Sequence, residues 1–175
     1  TESGNAIAQV LYGDYNPSGK LPMTFPRSVG QLPIYYNQKT TGRPVENGED
    51  SVFWSHYTDE ENTPLYPFGY GLSYSKFEYS DLKVSSPSFS SNGKITVSVN
   101  VKNTSKVEGK EVVQMYLKDL IGSVTRPMKE LKGFEMVSLK ANETKTVTFT
   151  IDSKLLEFYT ANNKWEAEPG DFKVF

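Results

Sequence analysis

A chain of 175 residues with 37% hydrophobic and 23% charged residues is typical of a globular protein with one domain, or one domain and part of another. Its formal net charge of −2 argues against a nucleic-acid-binding protein, which usually presents a basic face. Without cysteine it can form neither a disulfide nor a thiolate metal site, and no apolar stretch is long enough to predict a membrane-spanning helix.

The first element predicted along the chain is a short helix from Ser3 to Tyr12. Four apolar side chains recur at helical spacing and would form one face: Ala6, Ile7, Val10 and Leu11. Gly13 can end the helix in a left-handed conformation. A turn over Asp14–Gly19 then leads to a short strand predicted at Leu21–Phe25, which Pro26 ends. Both elements need partners from elsewhere, the helix to cover its apolar face and the strand to pair its edges.

Residues 29–59 show neither a helical nor a strand period and are predicted to be a loop or linker. Five aromatic residues interrupt this polar stretch: Tyr35, Tyr36, Phe53, Trp54 and Tyr57. Large rings are seldom left exposed unless they have a function. We therefore expect these rings to anchor the linker on the domains that it crosses.

The stretch Asn62–Phe77 combines two prolines and two glycines with five aromatic rings. Pro64 and Pro67 disfavour a helix, whereas Gly69 and Gly71 permit close backbone approach. An irregular segment of this kind usually packs its rings between two folded units. We predict that most of four rings are buried between the linker and the β-domain that follows: Tyr66, Phe68, Tyr70 and Tyr74.

From Phe77 onward, alternation of apolar and polar residues predicts an all-β region. Lys94–Lys102 and Thr146–Ile151 alternate cleanly, and Glu111–Lys118 is apolar enough to be a central strand. Further strands are predicted at Leu82–Ser85, Leu131–Leu139, Leu156–Tyr159, Trp165–Ala167 and Phe172–Phe175. Short strands at this spacing indicate an immunoglobulin/fibronectin type III-like β-sandwich.

Three stretches, in the same order along the chain, resemble the C-terminal portion of family 3 glycoside hydrolases of the periplasmic β-glucosidase type. Pro64–Tyr74, which reads Pro-Leu-Tyr-Pro-Phe-Gly-Tyr-Gly-Leu-Ser-Tyr, resembles the join between the α/β sandwich domain and the fibronectin type III-like domain of that family. Residues 4–22 resemble the end of the sandwich domain, and Arg126–Phe134 resembles the middle of the β-domain. The resemblance covers nearly the whole chain and implies that most of such an enzyme precedes Thr1.

The resemblance implies a fold that is mainly β, with three regions. Residues 1–28 would be the partial end of an α/β sandwich domain, and residues 29–76 a linker with the aromatic junction. Residues 77–175 would be a fibronectin type III-like β-sandwich that lacks its last strand.

The resemblance also implies that this chain carries no catalytic residue. In the family the nucleophile is an aspartate of an N-terminal barrel, and the acid/base is a glutamate upstream of the helix matched here. We therefore assign no catalytic, cofactor-binding or metal-binding residue and expect the chain alone to be inactive. The parent would be a β-glucosidase that removes terminal non-reducing β-D-glucosyl residues with retention, in the periplasm or secreted. Its expected partners are the upstream catalytic domains, a β-glucoside or oligosaccharide substrate, and a second copy in a homodimer.

Considered by themselves, the local acidic residues suggest little chemistry. Asp14 lies in a turn, where it is expected to bond to local backbone. The linker carries two acidic groups: Glu46, Glu49 and Asp50, and Asp59, Glu60 and Glu61. The first is expected to be solvated, and the second could approach the active site of an intact enzyme, although a linker role is favoured. His56 is the only histidine, and no serine and acid around it suggest a nucleophilic site.

A second function stays open from the sequence alone. A free-standing β-sandwich could hold polysaccharide, or adhere to a surface, through exposed aromatic rings. Coplanar rings exposed on one face would favour that module, whereas rings buried against the linker would favour the glycosidase portion.

Overall fold

The computed structural model describes residues 2–39 and 55–175. The predicted N-terminal helix is confirmed as α1, Ser3–Tyr12, and Gly13 follows it in a left-handed conformation with φ of 84°. None of the residues of α1 is buried, and the apolar side chains of Ile7 and Leu11 are exposed. The apolar face of α1 therefore lacks a cover within the part of the chain that the structure describes.

In the described residues α1 is followed by a short 3-10 helix, Val29–Gln31, and then by eight strands and one further short α-helix. They are β1 (Phe77–Val84), β2 (Lys94–Asn103), β3 (Gly109–Asp119), β4 (Glu130–Leu139), β5 (Thr144–Asp152), α2 (Ser153–Leu156), β6 (Phe158–Tyr159), β7 (Trp165–Glu166) and β8 (Phe172–Val174). The strands form sheets in the orders β1-β2-β5, β4-β3-β8 and β6-β7. The mainly β fold is confirmed, and β3 is a central strand as predicted.

Alternation along β2 sets its register against both neighbours. On one side of β2, β1 is antiparallel to it, with Phe77 opposite Asn103. On the other side, β5 is also antiparallel to β2, and the paired residues begin with Lys94 opposite Asp152. Because side chains alternate between the two faces of a strand, Val97 and Val101 point to the same face, and both are buried.

A compact apolar cluster joins the sheets. Val101 of β2 and Val147 of β5 pack with Val113 of β3 and with Val137 and Leu139 of β4. Branched side chains of this kind fit the pleated surface of a sheet well, which explains why these strands form from such a valine-rich sequence.

The fold divides into two compact units. The first comprises residues 1–20, 71–114 and 133–156. The second comprises residues 21–70, 115–132 and 157–175. Each unit is therefore assembled from three separate segments of the sequence, and the apolar cluster described above lies wholly within the first.

The strand predicted at Leu21–Phe25 is wrong in extent. Phe25 forms a single antiparallel bridge with Tyr66, and the Leu21 amide donates to the Tyr70 carbonyl at 2.8 Å. Proline has no amide hydrogen, so Pro22 and Pro67 cannot contribute the donors that a continuous ladder requires. The partners of this segment come from the later chain, at Leu65, Tyr66, Gly69 and Tyr70.

The early part of the linker is held by one buried side chain. Gln31 is buried, and its Oε1 accepts a hydrogen bond from the Arg27 amide at 2.6 Å. Its Nε2 donates to the Glu61 carbonyl at 2.7 Å and to the Thr63 carbonyl at 3.3 Å. Gln31 is the last residue of the short 3-10 helix Val29–Gln31, and its amide connects two stretches about 30 residues apart, which fixes the linker there.

Candidate functional site

Asn16 connects three stretches of the first unit. Its Nδ2 donates to the Ser75 Oγ at 2.9 Å and to the Glu108 carbonyl at 2.8 Å. Its Oδ1 accepts from the Ser73 hydroxyl and from the Tyr74 amide, both at 2.9 Å. One side chain thus uses both of its donors and both acceptor positions. The sequence showed Asn16 only as a turn residue before a proline, because partners so distant leave no local signal.

The same unit contains close contacts that explain two of its glycines, Gly71 and Gly109. A Cβ built on Gly71 would lie 2.2 Å from the Gly19 carbonyl oxygen, and one built on Gly109 would lie 2.5 Å from the Ser75 Oγ. The Tyr74 hydroxyl donates to the Val10 carbonyl near the end of α1. This hydrogen bond attaches the helix to the junction, while the apolar side chains of Ile7 and Leu11 stay exposed.

A charged cluster lies on β3 beside this junction. Both Nζ–carboxylate distances between Lys20 and Glu111 are short, at 3.0 and 3.1 Å, and the Tyr79 hydroxyl lies 3.0 Å from Glu111 Oε1. Burial, reinforced by the Glu111 carboxylate, raises the pKa of the Tyr79 hydroxyl far above its usual value. A signal for this cluster was present in the sequence, since Glu111 occupies the same strand face as Val113 and Met115. The cluster is a paired, structural group, because the carboxylate is already neutralised by Lys20.

The second unit contains a group of stacked rings. Phe68 stacks on Tyr36 with ring centres 4.1 Å apart, and Tyr116 meets both edge-on. Lys129 Nζ lies 5.2 Å from the centre of the Tyr116 ring. Burial, together with Tyr36, raises the pKa of Tyr116. Tyr36 and Phe68 also line a depression of about 570 Å³, together with Pro22, Met23, Thr24, Leu32, Pro33, Ile34, Tyr35 and Asn37.

The prediction that most junction rings are buried is wrong for this chain. Tyr66, Tyr70 and Tyr74 are exposed by 43%, 37% and 52%, and only Phe68 is partly covered. Tyr66 and Tyr70 stack on each other with ring centres 5.2 Å apart and planes at 27°. The physical reason is simple: the described residues provide too little material to enclose three large rings.

Arg126, at the start of the third resembling stretch, organises its surroundings in the second unit. Its Nη2 lies 2.8 Å from the Glu130 carboxylate, its Nε lies 3.2 Å from Asp119, and its guanidinium carbon lies 3.8 Å from the centre of the Phe158 ring. Burial raises the pKa of Asp119, and Arg126 opposes that rise. Such a paired and stacked arginine is a structural element.

The acidic residues considered in the sequence are not brought together. Asp14 and Asp59 are exposed, and Glu61 pairs with Arg27 at 2.7 Å. Glu46, Glu49 and Asp50 lie outside the described residues, as do Phe53 and Trp54. Within residues 2–39 and 55–175, no group of three or more His, Cys, Asp or Glu side chains is arranged to hold a metal ion. No described helix is long and apolar enough to cross a membrane.

Two family descriptions match the chain. Residues 1–74 match the glycosyl hydrolase family 3 C-terminal domain, and residues 111–175 match the fibronectin type III-like domain. The chain belongs to glycoside hydrolase family 3. Within that family it matches the C-terminal portion, as the three resembling stretches predicted.

Family 3 relatives match the chain from end to end. It is 57% identical over 175 residues to the periplasmic beta-glucosidase of Salmonella typhimurium, covering 100% of this chain and 23% of the relative. It is 47% identical over 169 residues to a putative beta-xylosidase of Formosa agariphila, covering 97% of this chain and 21% of the relative. A crystal structure of a Listeria innocua beta-glucosidase in complex with isofagomine superposes with a TM-score of 0.91 at 48% identity, covering 100% of this chain and 24% of that one. The chain thus spans about a quarter of the length of the family 3 proteins that it matches.

Proposed function

We propose that this chain is the non-catalytic C-terminal portion of a β-glucosidase that releases terminal non-reducing β-D-glucosyl residues with retention. The observation that carries the proposal is the 57% identity to a periplasmic beta-glucosidase over the whole chain. A retaining mechanism requires a carboxylate nucleophile and a carboxyl acid/base about 5 Å apart. We assign both groups to the upstream part of the protein, and none to this chain.

The role proposed for this portion is to support the upstream domains. The exposed apolar face of α1 and the apolar depression lined by Met23, Leu32 and Ile34 are the surfaces that upstream domains would cover. Covering an exposed aliphatic side chain contributes about 1.5–3 kcal/mol. Three exposed tyrosines of the junction fit the same role, since an upstream domain would supply the material that the chain lacks.

The relative with the higher identity is a beta-glucosidase, which favours hydrolysis of glucosides over hydrolysis of xylosides. Because another relative is a putative beta-xylosidase, both sugars should be tested. The same relative supports a periplasmic or secreted location. A homodimer is still only expected, and sedimentation of the full-length protein can measure its oligomeric state. The free-standing module receives support from the exposed Tyr66–Tyr70 stack, but the relatives that match this chain end to end are about four times longer enzymes.

The test compares the full-length protein with the isolated chain on para-nitrophenyl β-D-glucopyranoside and on the matching β-D-xylopyranoside. We expect turnover of the glucoside by the full-length protein and none by the isolated chain. Turnover by the isolated chain, lost when one of its own carboxylates such as Glu61 or Asp59 is replaced, would overturn the proposal. Faster turnover of the xyloside by the full-length protein would correct the sugar.

A further inference from the structure

Two large rings are exposed side by side on the β6–β7 hairpin. Tyr159 and Trp165 are direct cross-strand partners, with ring centres 6.0 Å apart and planes at 65°. They are exposed by 52% and 69%. The neighbouring residue Phe158 is buried beneath the Arg126 guanidinium. Because side chains alternate along a strand, the hairpin is anchored by its inner ring and presents its two outer rings to solvent.

The connection between the two strands is held firmly. Thr160 is buried. Its backbone amide donates to the Lys164 carbonyl at 2.9 Å, and the Asn163 backbone amide donates to the Thr160 carbonyl at 3.1 Å. The Thr160 hydroxyl and the Asn162 side-chain Nδ2 both donate to Glu166 Oε1, at 2.8 and 3.2 Å. These hydrogen bonds, that of Thr160 foremost, lower the pKa of Glu166, so the carboxylate stays charged and bonded at neutral pH. The two outer rings therefore sit on a pre-ordered support, which reduces the entropy lost on binding.

The surroundings of the two rings distinguish a sugar from a protein surface. Apolar side chains line the depression at Met23, Leu32 and Ile34, as a covering protein domain would require. On the hairpin, by contrast, Asn162, Asn163 and Lys164 are exposed next to the rings. An amphipathic ring with polar neighbours suits a pyranose, which has a C–H face and a rim of hydroxyl groups.

We propose that Tyr159 and Trp165 form a stacking site for pyranose rings of a β-linked glucan chain. The inference rests on the proposed function, which supplies β-linked glucose as the ligand class. The site makes and breaks no bond: it would hold a polymer near the protein and raise the local concentration of chain ends.

The test uses affinity electrophoresis of the full-length protein in native gels that contain laminarin or carboxymethylcellulose. Trp and Tyr side chains at binding hot spots contribute enough that Trp165→Ala should weaken retardation about tenfold, and Tyr159→Ala by a smaller factor. Phe134→Ala is the matched control, because Phe134 is also 69% exposed on a strand but has no described ring partner in the structure. It should migrate as the unaltered protein does.

Four outcomes decide the matter. Retardation that falls in both hairpin variants and not in the control supports the site. An unaltered protein that neither polysaccharide retards, or a Trp165→Ala variant retarded as strongly as the unaltered protein, overturns it. Sedimentation that shows loss of a dimer in Trp165→Ala, with retardation unchanged, assigns the rings to an interface between copies instead. If Trp165→Ala does not fold, Tyr159→Ala decides in the same way.

Aryl glucoside hydrolysis separates this inference from the function on which it rests. Trp165→Ala should hydrolyse para-nitrophenyl β-D-glucopyranoside at the rate of the unaltered protein. Normal hydrolysis without polysaccharide retardation would overturn the stacking site alone. No hydrolysis of either aryl glycoside by the unaltered full-length protein would overturn the proposed function, whatever the gels show.

Discussion

Asn16 Nδ2 donates to the Ser75 Oγ at 2.9 Å, across 59 positions of sequence. The hydroxyl of Ser75 in turn donates to the Val107 carbonyl at 3.2 Å. A loop near the N-terminus, the end of the aromatic junction and the turn before β3 are thus joined by two polar side chains. This relationship shows how a segment with no regular secondary structure is fixed in place.

Replacing Asn16 with alanine should loosen the junction. The substitution removes four hydrogen bonds, each with a net contribution of about 1 kcal/mol, so we expect a local loss of about 2–4 kcal/mol. Hydrogen exchange of the Tyr74 amide, which donates to Asn16, measures this directly in the full-length protein. Asn5→Ala is the control, because exposed Asn5 bonds only to the Glu2 side chain in the described structure. Unchanged protection of Tyr74 in Asn16→Ala would contradict the assignment.

Gly71→Ala should be severely destabilising. The new methyl group would lie 2.2 Å from the Gly19 carbonyl oxygen, a backbone atom that cannot rotate away. Overpacking typically costs about 1–3 kcal/mol, and a backbone clash belongs at the upper end or beyond. Gly19→Ala, whose methyl group would meet nothing within 4 Å, should melt within a degree or two of the unaltered protein. Equal melting temperatures for the two variants would show that the junction can shift apart.

Lys20→Met should be more harmful than the loss of an exposed ion pair. Lys20 and Glu111 have side chains only 19% and 11% exposed, so the substitution leaves a largely buried carboxylate without its cation. We expect a loss of about 2–4 kcal/mol, largely restored when Glu111→Leu is added. Lys145→Met is the control, because the Lys145–Glu143 pair is more exposed and should contribute less than about 1 kcal/mol. Denaturant unfolding of the full-length variants measures these losses of stability. A double variant as unstable as Lys20→Met would contradict the prediction.

Tyr79 should make stability depend on pH in the alkaline range. Burial, with Glu111 beside the hydroxyl, raises the pKa of Tyr79 in the folded protein, whereas in the unfolded chain it titrates near its usual pKa of about 10. Above that pH the unfolded chain binds fewer protons than the folded one, so stability falls as pH rises. The advantage of the unaltered protein over Tyr79→Phe should therefore be full below pH about 10 and shrink above it. Tyr12→Phe, at an exposed position, is the control. A difference that stays constant up to pH about 11 would contradict this origin.

The isolated chain should associate with itself. Ile7 and Leu11 are exposed on α1, and contiguous exposed apolar groups promote association. Replacing both with serine should lower the apparent mass in gel filtration and leave the helix content unchanged. Ile121→Ser, at an exposed apolar position elsewhere, is the control. A monodisperse unaltered chain with a cooperative thermal transition would show that residues 1–25 need no further cover.

The sequence predicted what depends on local periodicity. The bounds of α1 followed from four apolar residues and a terminal glycine, and the central place of β3 followed from apolar residues on both of its faces. The role of Asn16 could not be predicted, because its partners are up to 92 positions away and no local pattern encodes them. Burial of Tyr66, Tyr70 and Tyr74 was predicted wrongly, since composition indicates that rings seek cover but not which part of a protein supplies it.

The distance along the chain from Asn16 to Glu108 also delays the folding of the junction during synthesis. Ribosomes add about 5–20 residues per second, so roughly 5–18 seconds separate the synthesis of Asn16 from that of its last partner, 92 residues later. During that time Ser73, Tyr74 and Ser75 are made, but the Asn16 network that fixes this end of the junction is incomplete. A nascent polypeptide in this state is expected to bind chaperones, and slowing translation between residues 75 and 108 would lengthen the period in which it does so.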